Sequence, residues 1–90
     1  MLHEIIIWDN STDDFISIIN PSIKKVMEDA YKVYEATYEN MMYEGILEGE
    51  REKLSFDTFQ VDLINGLHHT LQAPHHHVEI VYTTHKMPIK

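Results

Sequence analysis

Seven of the ninety residues are histidine, and no other residue type here is so suited to chemistry. Five of them, His68, His69, His75, His76 and His77, fall within ten positions. Imidazole binds metals, accepts protons and changes charge near neutral pH. In a strand extending back through its preceding loop, His75, His77 and Glu79 alternate onto one face, where such side chains can converge on one ion. Imidazole with carboxylate suits zinc or another divalent transition metal. His68 or His69, read at the end of a preceding helix, would complete the set, with His85 in reserve. The competing reading carries more weight. Consecutive histidines cannot all face one site, a helical wheel turns His68 and His69 away from the apolar arc, and a charged histidine near a helix C-terminus gains from the dipole. Solvated or capping histidines are therefore expected, with a metal set of His68, His75, His77 and Glu79 as the alternative.

Catalytic patterns are weaker still. His68 and Thr70 form one H-x-T pair of the kind some phosphoesterases use twice, and a second H-x-S or H-x-T is absent. Asp62, Asn65 and His69 share the polar side of a helix, a spacing typical of a solvated face. H-E-x-x-H, G-x-S-x-G and a glycine-rich phosphate loop are all missing from the sequence. With no cysteine, disulfides, thiolate zinc sites and cysteine nucleophiles are excluded together. A non-enzymatic chain without a cofactor is expected. A histidine-driven pH switch of assembly is a third class.

Fifteen acidic against seven basic residues give a formal charge of −8. Such a chain is poorly built to neutralise nucleic-acid phosphates or to lie on an anionic membrane. No apolar run approaches the roughly 18–20 residues needed to cross a bilayer, and no signal peptide is visible. A cytoplasmic location is expected. The charge is uneven: residues 73–90 hold one acid, Glu79, against Lys86 and Lys90.

The elements that must position these groups follow from periodicity. Ile5-Ile6-Ile7-Trp8 is β-branched and aromatic and predicts a strand over about 3–8. Residues 13–19 fit a short helix or the second strand of a hairpin, and the shared helical face of Phe15, Ile18 and Ile19 favours the helix. Asn20 as N-cap and Pro21 as first residue open a long helix over about 21–44. Its apolar arc holds Ile23, Val26, Met27, Ala30, Val33, Tyr34, Thr37 and Met41. Glu44 and Glu48 then break the pattern, so the helix ends or bends around 43–50. A second helix over about 56–72 starts near Ser55 or Asp57, with Gly66 inside it and Pro74 after it. Residues 77–84 alternate as a strand, with Val78, Ile80 and Tyr82 on one side. Ninety residues suit one domain. The expected fold is α+β, with two main helices on a small sheet of two or three strands formed by the N- and C-terminal strands. Its exposed edges favour a homodimer, by strand addition or through helical faces.

Tyrosine and methionine along the long helix suit a protein interface. Tyr31, Tyr38 and Met42 lie at the margin of its apolar arc, joined by Ile46 and Leu47, while Glu35 and Glu39 would steer binding to a basic, nucleic-acid-binding surface of a protein partner. The expected function is a small acidic interaction protein that binds and inhibits another protein, of a size and style found in viruses and mobile elements. The alternative is the histidine-rich metal protein, with or without metal-dependent activity.

Overall fold

In a computed structural model, the structure describes residues 1–10, 14–43, 53–73 and 76–86. The N-terminal isoleucine run forms β1 (Leu2–Asp9). It turns back into β2 (Asp14–Asn20), in antiparallel register with Ile5 opposite Ile18 and Trp8 opposite Phe15. Residues 14–20 are thus a strand and not the helix favoured above. A short apolar run satisfies both periodicities, and here the unpaired backbone edge of β1 decides, because it must be hydrogen-bonded.

Helix α1 (Ile23–Tyr43) follows. Its start differs by one turn feature from the expected Asn20 cap. Asn20 belongs to β2, and its Oδ1 accepts from Ser22 N–H at 2.8 Å, while Ser22 Oγ accepts from Lys25 N–H at 3.3 Å. Ser22 is therefore the residue that caps the first turn, and Pro21 lies just outside the helix. The expected bend beyond residue 43 lies outside the described residues.

Helix α2 (Phe56–Ile64) is capped by Ser55, whose side chain accepts from Thr58 N–H at 3.2 Å. Asp57 lies in the first turn, where its charge favours the dipole. The helix stops eight residues earlier than the predicted 72. Leu67 N–H donates to Asp62 O at 2.9 Å and Gly66 N–H to Leu63 O at 3.0 Å, the paired bonds of a Schellman ending. Gly66 sits at φ +86°, a conformation that costs L-residues about 1–2 kcal/mol. Nothing lies within 4 Å of where its Cβ would be, so backbone strain alone should make Gly66→Ala about 1–2 kcal/mol less stable in urea unfolding. An unchanged midpoint would remove this account of the helix end.

Past that turn the chain forms β3 (His69–Ala73) and then β4 (His76–His85). His68 and His69 thus follow the α2 turn and do not end a helix. The sheet has four antiparallel strands in the order β2-β1-β4-β3, so the terminal strands β1 and β4 pair at its centre, with Ile5 opposite Tyr82 and Ile7 opposite Ile80. The fold is α+β, two helices on one face of this sheet. Ile5, Ile7, Val78 and Ile80 point at the helices and pack with Val26, Met27, Ala30, Tyr34 and Met41 of α1 and with Phe59 and Leu63 of α2. Among the described residues no helix is long and apolar enough to cross a membrane.

Candidate functional site

Strand pairing gives most of the described histidines an assignment that spacing could not. His76 Nε2 donates to Asp9 Oδ1 at 2.9 Å and His85 Nε2 to Glu4 Oε1 at 2.7 Å. His3 Nδ1 lies 2.7 Å from the Tyr82 hydroxyl, with the rings stacked. All three contacts run diagonally between β1 and β4 and tie the two ends of the chain together. His69 stacks on Phe59 at 5.2 Å and its Nε2–H donates to the Phe59 carbonyl at 3.2 Å, which holds the start of β3 against α2. Such bonds to side chains and free carbonyls are a structural use of imidazole.

Glu4 is held from two neighbouring strands. Ser17 of β2 donates its hydroxyl to Glu4 Oε2, and His85 of β4 donates to Oε1. These bonds, Ser17 first and His85 second, hold the carboxyl below its ordinary value of 4.5. The order of groups is serine, carboxylate, histidine. Among the described residues the hydroxyl of Ser17 is bonded to the carboxylate and not to an imidazole, the group that activates a serine nucleophile. The trio joins three strands instead. Because folding lowers this pKa, the stabilisation is complete above 4.5 and is lost as pH falls through the lower folded value. Glu4→Gln should cost about 1–2 kcal/mol at neutral pH and flatten the acid limb of stability against pH. An acid limb of unchanged steepness in urea melts would refute this role.

Of the alternative metal set, His77 and Glu79 share one face of β4 at 3.8 Å, His68 is exposed before β3, and His75 lies outside the described residues. Among the described residues no three histidine, aspartate or glutamate side chains are grouped to hold a metal ion. The pairing of Asp62 with His69 is loose, at 3.9 Å.

The helix residues expected to meet a partner occupy different settings. Tyr31 lies in the seam between α1 and α2, with Phe59 at 5.3 Å and Phe56 at 5.4 Å, and its hydroxyl donates to Leu54 O at 2.6 Å. Leu54 N–H in turn donates to the Tyr34 hydroxyl at 2.9 Å. Two tyrosines thus satisfy both backbone groups of Leu54, and burial pushes the Tyr34 pKa up. Tyr38 is partly buried beside Tyr34, whereas Met42 is exposed. Glu35 receives Lys53 at 2.7 Å, and Lys25–Asp29 and Lys24–Glu28 pair along the helix at 3.2 and 3.9 Å. Glu39 is exposed. Lysines therefore offset much of the acidic stripe on α1. Ile46 and Leu47 lie outside the described residues.

The surface that sequence reading missed is the other side of the sheet. Alternation sends Leu2, Glu4, Ile6 and Trp8 of β1 away from the helices, with Phe15, Ser17 and Ile19 of β2 and His77, Glu79, Val81, Thr83 and His85 of β4. Phe15 is 68% and Ile19 52% exposed, and Ile6, Trp8 and Val81 are only partly buried. No described element covers this face. Its apolar residues gather on β1 and β2 around the Ser17–Glu4 bond, and its histidines, Glu79 and Thr83 lie along β4. The signal was present in Ile6, Trp8 and Phe15, but it needed the register to become a patch. A separate hollow of about 280 Å³ lies on the helix side, floored by Ile7, Ile16, Val33 and Val78 and rimmed by Asp9, Asp14 and Thr37. His76 already engages the Asp9 carboxylate there. The chain matches no family model, no curated protein and no solved structure.

Proposed function

We propose that this chain is a non-enzymatic protein-interaction module whose contact surface is the uncovered face of its sheet. The observation that carries the proposal is the exposure of Phe15 and Ile19 beside Trp8, Ile6 and Val81 on one contiguous face. Contiguous apolar patches rimmed by polar groups mark binding sites, whereas single exposed apolar residues do not. The acidic remainder of the chain supports a protein partner over nucleic acid or an anionic lipid surface. Met42 and Glu39 on α1, outside this face, are available for a separate contact with a basic surface of another protein.

A photo-crosslinking residue placed at position 15 or 19, with one at Lys32 on the exposed side of α1 as reference, tests the contact surface in expressing cells. Adducts to protein are expected at 15 and 19 and not at 32. Equal yield at all three positions, or none at the face, would sink the proposal.

A further inference from the structure

Taking the open face as the contact surface, as proposed above, we infer that its occupant is a second copy of this chain, packed sheet against sheet. Four strands of five to ten residues, about 4.8 Å apart, present a face of roughly 500 Å² in projection, before side-chain relief is counted. That is the scale of the roughly 800 Å² per partner in a standard stable interface. Charge favours the same occupant. Two chains of formal charge −8 repel through most of their surface. On this face, however, Glu4 is bonded to His85 at 2.7 Å and Glu79 lies 3.8 Å from His77. Among its described residues the face holds only these two carboxylates, each beside a histidine that neutralises it when protonated, so a second copy meets less repulsion here than over the acidic remainder of the chain.

The distribution of side chains suits a two-fold axis. Phe15, Trp8, Ile6, Val81 and Ile19 form the apolar part on β2, β1 and the adjoining row of β4, around the hydrogen-bonded Ser17–Glu4 pair, while polar groups continue along β4. An axis that lays one apolar half on its copy leaves His77 and Glu79 towards the rim, the arrangement of an isologous interface with an apolar centre. Sheets packed in this way sit about 10 Å apart, and both helical layers face outward. Pairing along the β2 edge would use seven residues of backbone, Asp14–Asn20, and leave Trp8 and Val81 in water. Face packing removes them.

The test uses the full chain and its single tryptophan, Trp8. Sedimentation from low to high micromolar concentration should show monomer passing to dimer, with acrylamide quenching of Trp8 falling in step. Phe15→Ser combined with Ile19→Thr, both at exposed positions, should weaken the dimer by about tenfold or more while the circular dichroism of the monomer is unchanged. A dimer that forms without shielding Trp8 would overturn the inference in favour of an edge or helix contact. A chain that stays monomeric overturns it too. The crosslink at position 15 then separates the two proposals. An adduct with the mass of a different protein rejects the second copy and keeps the contact surface, and no adduct rejects both.

Discussion

Phe59→Ala is expected to cost about 3–5 kcal/mol, against a total stability of roughly 5–13 kcal/mol for ninety residues. Phe59 is fully buried, and its ring lies 5.3 Å from Tyr31, 5.2 Å from Tyr34 and 5.2 Å from His69. Three elements meet on this one side chain: α1 through the tyrosines, α2 itself, and β3 through the histidine. Truncation removes the apolar burial, leaves a cavity that two phenols cannot fill without giving up Leu54, and takes away the surface on which His69 stacks. The collapse that softens many large-to-small changes is therefore restricted here. Urea unfolding followed by near-ultraviolet circular dichroism would show the loss as a shifted or absent cooperative transition. A cost near 1 kcal/mol would mean that the aromatic seam packs loosely.

The parts of the fold that could be read from the sequence are those in which one periodicity excludes the other. The arc from Ile23 to Met41 has no strand equivalent, and the alternation through Val78, Ile80 and Tyr82 has no helical one, so α1 and β4 were legible. Phe15, Ile18 and Ile19 share a helical face, yet Ile16 and Ile18 also alternate on a strand. Only the demand of β1 for a partner resolves them. Residues 56–72 misled for a related reason. Phe59, Leu63, Leu67 and Leu71 continue one helical stripe, while in the structure the stripe ends at Gly66 and Leu71 reaches the core from β3. The Asn65-Gly66 pair held that information, as a helix ending in the left-handed conformation. The partners of His3, His76 and His85 lie 67 to 81 residues away in the chain, beyond the reach of any local pattern. The open face was illegible for the same reason, since it exists only once the register brings Trp8 beside Phe15 and both helices are known to cover the opposite side.

Adjacent residues on β1 give the sharpest contrast that this geometry makes. Ile5→Ala is expected to cost about 2–5 kcal/mol, because Ile5 is fully buried at the centre of the sheet, between Ile18 and Tyr82 and under the helices. Ile6→Ala, one residue later, should cost only about 1 kcal/mol in dilute solution, the range of a partly exposed truncation. Its side chain points to the opposite face, opposite Ser17 and Val81. Raising the protein concentration should leave the Ile5 deficit almost unchanged and enlarge the Ile6 deficit, because wild-type chains then gain stability from association that the variant forms less well. Thermal or urea midpoints of the three proteins at two concentrations are sufficient. Equal costs for the two substitutions at high dilution would mean that Ile6 is covered within the monomer, and the open face would lose its standing as a contact surface.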